Sequence, residues 1–121
     1  MRKSITIGNK DFEFEATLGT AELYQIFTGD NMFEVLSSYR GTKGDKTAAF
    51  KLLDVYKKMM YVMNVQATAA DVRDMRAKMN MDDYINWLFQ FDNDDITPQV
   101  TNEIAALWNK SNDKHSQAKN P

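Results

Sequence analysis

Ser4-Ile5-Thr6-Ile7-Gly8-Asn9-Lys10-Asp11-Phe12-Glu13-Phe14-Glu15 decides how the rest of this chain must fold. Two runs, Ser4 to Ile7 and Phe12 to Glu15, alternate polar and apolar residues. The turn formers Gly8-Asn9-Lys10-Asp11 separate them, which is the pattern of an antiparallel β-hairpin. Alternation puts Ile5, Ile7, Phe12 and Phe14 on one face and Thr6, Glu13 and Glu15 on the other. A lone two-stranded ribbon is marginally stable in water, so its apolar face needs a cover. The remaining sequence reads as short helices that supply it. The predicted fold class is α+β, with an N-terminal antiparallel β-hairpin packed on a mainly α-helical domain.

Outward from the hairpin, Thr20 reads as an N-cap, with Glu22 in the first turn and Leu23, Tyr24, Ile26 and Phe27 behind it. Gly29 can close that helix, and Asp30 can cap a second one carrying Met32, Phe33, Val35, Leu36 and Tyr39. Gly41-Thr42-Lys43-Gly44 is a flexible break. Asp45 then caps the longest helix, predicted over Lys46 to Asn64. Ala49, Leu53, Tyr56, Met60 and Met63 form one apolar face on it, widened by Leu52, Met59 and Val62. Thr68-Ala69-Ala70-Asp71 is a capping-box-like start for a charged helix to about Met79. Asn80-Met81-Asp82-Asp83 opens another, bearing Tyr84, Ile85, Trp87, Leu88 and Phe91. Thr97-Pro98 starts the last helix, whose apolar side is Val100, Ile104, Leu107 and Trp108. Ile5, Ile7, Phe12, Phe14, Leu23, Phe27, Leu53, Tyr56, Met60, Leu88 and Leu107 are the predicted core. Almost nothing apolar follows Lys110, so a single domain over 1–110 and a disordered polar tail over 111–121 are expected.

A chain of 121 residues is long enough for one domain with its own core. It has no cysteine, which excludes disulfides and thiolate metal sites and fits a reducing compartment. Met1-Arg2-Lys3 runs into a strand pattern rather than an apolar stretch, so no signal peptide is expected. No apolar run reaches the roughly 18 residues of a membrane span. A net charge of −2 gives no overall reason to bind nucleic acid, and no basic recognition helix stands out. Eight methionines, a high number for this length, suit either an irregular core or an adaptable binding surface.

The chemistry-bearing patterns mostly resolve into ordinary structure. Asp92, Asp94 and Glu103 match positions one, three and twelve of a calcium loop. Ile96 falls where the fifth ligand should be, however, and Thr97 replaces the turn glycine, so a solvated turn is the better reading. A metal enzyme built on the Asp92–Glu103 carboxylates is a rival that titration with calcium, magnesium or manganese would expose. Gly41-Thr42-Lys43-Gly44-Asp45-Lys46-Thr47 is too short for a phosphate loop and places Asp45 where a phosphate would sit. His115, the single histidine, lies in the polar tail and is not proposed as a general base. No nucleophile motif is present, and Asp82-Asp83 and Asp94-Asp95 favour helix starts. The chain is therefore read as a non-enzyme without metal or cofactor.

One charge feature has a functional reading. Between Met81 and Asn109 there is no lysine or arginine, while Asp82, Asp83, Asp92, Asp94, Asp95 and Glu103 lie there with Trp87, Phe89, Phe91 and Trp108 interleaved. Packed helices with an acidic solvent face explain this without function. Alternatively, the segment is a surface that holds a basic or amphipathic partner, with Trp87, Phe91, Asp92, Asp94, Asp95 and Trp108 as its binding residues.

The order of segments carries a resemblance. Ile5-Thr6-Ile7-Gly8-Asn9-Lys10-Asp11-Phe12-Glu13-Phe14 leads into Leu23-Tyr24-Gln25-Ile26-Phe27-Thr28-Gly29-Asp30 and then a long amphipathic helix. Next come Met81-Asp82-Asp83-Tyr84-Ile85-Asn86-Trp87-Leu88-Phe89, a last helix and a Lys/Ser/Asn tail. Over about residues 1 to 110, this layout resembles the tail assembly chaperones of long-tailed bacteriophages and prophages, especially those of Gram-positive hosts. The resemblance is one of layout and texture, since the family has no invariant catalytic motif. It implies a non-enzymatic protein of the host bacterial cytoplasm, absent from the mature virion. Such a protein holds the tape measure protein soluble until tail tube subunits polymerise around it. It also allows self-association, and it implies no contact with nucleic acid or membrane.

Many of the family are made in a short form and a longer one produced by a programmed ribosomal frameshift, and the present chain resembles the short form. A −1 slip at a lysine-asparagine pair would then be written GCA-AAA-AAC or GCA-AAA-AAT over Ala118-Lys119-Asn120. An unrelated Lys-Asn dipeptide in a polar tail is the plain alternative, and the gene sequence decides between them. The alternative function is a small adaptor or inhibitor that binds a single folded host protein, through the exposed edge of the hairpin. Neighbouring tail tube and tape measure genes would favour the chaperone.

Overall fold

The computed structural model describes residues 1–42 and 44–119, with side chains described through Asn112. The expected hairpin is present. Strand β1 (Arg2–Ile7) pairs antiparallel with β2 (Lys10–Glu15), with Ile5 opposite Phe12 and Lys3 opposite Phe14. The turn is tighter than expected. Lys10 and Asp11 belong to β2, leaving Gly8-Asn9 as a two-residue connection. Gly8 has φ 68°, a left-handed conformation that glycine adopts without a Cβ clash.

Six helices follow: α1 (Leu18–Thr28), α2 (Met32–Ser37), α3 (Lys46–Thr68), α4 (Val72–Ala77), α5 (Met81–Leu88) and α6 (Pro98–Lys119). β2 lies along α3, β1 faces α6, and α1, α2 and α5 also pack on α3. The class is α+β, a ribbon on a mainly helical body. Among the described residues, no helix is long and apolar enough to cross a membrane.

Several helix ends follow local sequence. Asp45 accepts the N–H groups of Thr47 and Ala48 at the start of α3. Asn80 caps α5 by accepting from Asp83 N, and Gly29 closes α1 with φ 81°. Two caps sit elsewhere than expected. Asn31, not Asp30, caps α2 through Glu34 N. Thr17, not Thr20, caps α1 through Gly19 N. Thr20 is fully buried instead. Its Oγ1 accepts Thr17 N at 2.9 Å and donates to Gln66 Oε1 at 2.7 Å, while Gln66 Nε2 donates to Thr17 Oγ1. This closed set of bonds joins α1 to the far end of α3, which runs to Thr68 rather than Asn64. Asp71 caps α4, which stops at Ala77.

Of the predicted core residues, Ile5, Ile7, Phe14, Leu23, Met60 and Leu107 are buried. Phe12, Phe27, Tyr56 and Leu88 are half-buried against that core. Leu53 is also only half-buried. It lines an open groove with Ala49, Leu52, Tyr56, Ile96 and Pro98 instead of entering the centre. The centre of α3 is formed by Val55, Met59, Met60, Tyr61, Val62, Met63 and Val65. The reason is crowding. The ribbon, α1 and α5 surround that half of α3, so even residues off the periodic face are covered.

The polar stretch expected as a tail from 111 continues α6 to Lys119. Ser111 is half-buried, and its hydroxyl donates to Ala16 O at 3.0 Å, so the helix stays docked on the ribbon past the expected boundary at 110. Asn120 and Pro121 of the expected tail and slip site, Lys43 of the glycine-rich break and the His115 side chain lie outside the described residues.

Candidate functional site

A line of rings runs from α1 through α3 and α5 to the ribbon. Phe27 meets Tyr61 and Tyr84 at centroid distances of 5.6 and 5.2 Å, and Tyr61 meets Trp87 at 5.5 Å. Trp87 meets Phe91 at 4.9 Å, and Phe91 meets Phe12 at 5.1 Å. Tilted and edge-on contacts at these separations are favourable for aromatic quadrupoles. The Trp87 indole is held, since Nε1 donates to Asn64 Oδ1 at 3.0 Å while Asn64 Nδ2 donates to Glu13 O at 2.9 Å. Trp87 and Phe91 therefore tie α5 to α3 and the ribbon, each half-buried.

Burial also marks the tyrosines of this line. The Tyr61 hydroxyl donates to Lys78 O at 2.6 Å, and burial, with Asp83 nearby, pushes its pKa up to about 12. Tyr24 is pushed up to about 12 by burial, then by Asp30 and Asp54. Tyr84 is raised further, again by burial first, and its buried hydroxyl has no hydrogen-bond partner among the described residues.

The other predicted binding residues go to different places. Trp108 is only 5% exposed, with its ring 5.3 Å from Phe33, so it seals α6 to α2. Beside it, Leu36, Tyr39, Leu52 and Tyr56 line a cleft of about 300 Å³ with Arg40 at its polar side. Asp92 and Asp94 are exposed in the loop after α5. Asp95 is half-buried. Its Oδ2 accepts Asp92 N at 2.8 Å, and a Cβ on Gly8 would come within 3.2 Å of its Oδ1. It shapes the loop over the hairpin turn. The structure thus joins Trp87 to Phe91 and separates both from the seam that Trp108 occupies.

The apparent calcium loop is also taken apart. Ile96 packs against the core, Thr97 Oγ1 accepts Val100 N at 3.3 Å at the start of α6, and Glu103 pairs with Lys3 at 3.4 Å.

The exposed apolar side chains lie elsewhere on α5. Met81, Ile85 and Phe89 are 48, 42 and 79% exposed. Spaced four apart, they share one side of the helix, while Tyr84, Trp87 and Leu88 fill the covered side. The signal was present in the sequence as two apolar sets offset by about one turn position. Because the two sets adjoin, periodicity alone does not say which of them is covered.

No family model, no curated protein and no solved structure matches this chain.

Proposed function

We propose that this protein is a bacteriophage tail assembly chaperone that holds the tape measure protein soluble and recruits tail tube subunits in the host bacterial cytoplasm. The segment layout described above supports this reading, and one structural observation carries it. Met81, Ile85 and the C-cap residue Phe89 stand exposed along one side of α5 with Asp82 at their border, and a well-packed core lies beneath the helix. A holding protein needs apolar surface for its client and charge that keeps the complex in solution. The exposed parts of Met81, Ile85 and Phe89 offer the first, and the Asp82 and Asp83 carboxylates offer the second.

Co-expression tests it. A tape measure protein co-expressed with this protein should remain in the supernatant, and it should pellet when expressed alone. The same pellet in both cultures rejects the proposal. The second reading, an adaptor or inhibitor of one folded host protein, draws on the ribbon. It is a two-stranded sheet, so each strand has a ladder partner on one side only among the described residues. Stoichiometric capture of one folded host protein by the strand edge, with the tape measure protein still pelleting, would favour that reading.

A further inference from the structure

We infer that the Met81–Ile85–Phe89 side of α5 is the docking face for a lysine- or arginine-bearing amphipathic helix. This deepens the chaperone reading and rests on it for the biological client. The face is concentrated. Elsewhere the exposed large apolar side chains come one or two to a helix, as with Leu18 and Ile26 on α1, Phe33 on α2, Phe50 on α3 and Val72 on α4. Met81 to Phe89 spans about 12 Å of helix at 1.5 Å per residue, enough to meet successive turns of one partner helix.

Charge selects the occupant. At about 100° per residue, Asp82 falls only about 20° around the helix from Phe89, so a carboxylate borders the apolar side. No lysine or arginine occurs from Met81 to Asn109. The cation just before α5, Lys78, is held by Asp74 at 3.1 Å. An acidic helix laid on this face would be repelled. A second copy meeting it about a twofold axis would bring two Asp82 carboxylates into one interface without a cation from either Met81–Asn109 segment. A cationic amphipathic helix instead places apolar residues on Met81, Ile85 and Phe89 and its ammonium or guanidinium groups at the carboxylate border.

The test uses the full chain and a labelled synthetic peptide of about five helical turns, with leucines on one face and lysines on the other. Fluorescence anisotropy should show saturable binding. Joint replacement Met81→Ser, Ile85→Ser and Phe89→Ser should weaken it by about tenfold or more, with the circular dichroism spectrum unchanged because these side chains are exposed. Asp82→Asn should weaken it about two- to threefold at low salt and less at high salt, because border charges are screened. The same peptide with glutamates for lysines should bind at least about tenfold less tightly.

Equal binding by the triple variant overturns the inference, as does equal binding of the glutamate peptide. So does a dimer in sedimentation that the triple variant abolishes and the lysine peptide does not displace, which would make a second copy the occupant. Failure of the chaperone reading looks different: peptide binding at α5 persists while the tape measure protein pellets. If the triple variant keeps the tape measure protein as soluble as the wild type does, the docking face is wrong and the chaperone reading stands.

Discussion

The two halves of α3 both carry large apolar side chains and meet different fates. From Val55 to Val65 the helix is covered on several sides: Tyr61 contacts Phe27 and Tyr84, Asn64 reaches Glu13 and Trp87, and Met59, Met60, Val62 and Met63 are fully enclosed. From Lys46 to Asp54 only Ala48 is buried, Leu52 and Leu53 are half-covered, and Phe50 is 74% exposed. The difference follows the number of neighbours. The ribbon, α1 and α5 converge on the second half, whereas the first half borders α2, the start of α6 and open clefts. Periodicity therefore reports which side of a helix faces inward, while depth of burial depends on how many elements meet there.

Substitutions along α3 can break or sharpen this contrast. Met60→Ala should cost about 2–5 kcal/mol in urea unfolding, because the side chain is fully enclosed and leaves a cavity. A loss below about 1 kcal/mol would mean that the second half repacks freely. Alkaline pH should act on the same half through Tyr61, and on the packing of α1 beside the first half through Tyr24. Tyr24 and Tyr61 titrate near 10 when unfolded and near 12 when folded. Their contribution is therefore fully present below about pH 10 and is lost as pH rises through about 12. Denaturant midpoints at pH 9 and pH 11 should differ in that direction, and a higher midpoint at pH 11 would contradict the burial of these phenols.

Leu53→Ala should cost about 1 kcal/mol, since a half-covered leucine loses only part of its transfer free energy. A cost equal to that of Met60→Ala would erase the distinction between the halves. Phe50→Ser should change stability by no more than about 0.5 kcal/mol, as for an ordinary surface position. A thermal shift of several degrees would show that the groove beside Tyr24, Val35 and Asp54 is packed more firmly than its geometry indicates.

The hairpin, the Asp45 and Asn80 caps, the Gly29 stop and the Thr97-Pro98 start were legible because each rests on bonds within a few residues. Features held by distant partners were not. Thr20 resembles a cap in isolation, yet its hydroxyl belongs to Gln66, 46 residues away. Ser111 resembles the start of a loose tail, yet it bonds to Ala16, 95 residues earlier. Trp108 lay on the predicted apolar side of its helix, but composition could not show that Phe33 would close over it. On α5, aromatic content drew attention to Trp87 and Phe91. They fasten the helix to the body, while Met81, Ile85 and Phe89 provide the open surface.

The separation of the two tryptophans has an optical consequence. Trp87 sits half-buried beside Tyr61 on the α5 side, and Trp108 sits almost fully enclosed in the α2–α6 seam against Phe33. Removing one indole at a time, by Trp108→Phe or Trp87→Phe, leaves a single emitter in each place. The half-buried Trp87 should emit to the red of the enclosed Trp108, so the two variants report on the two regions separately by colour.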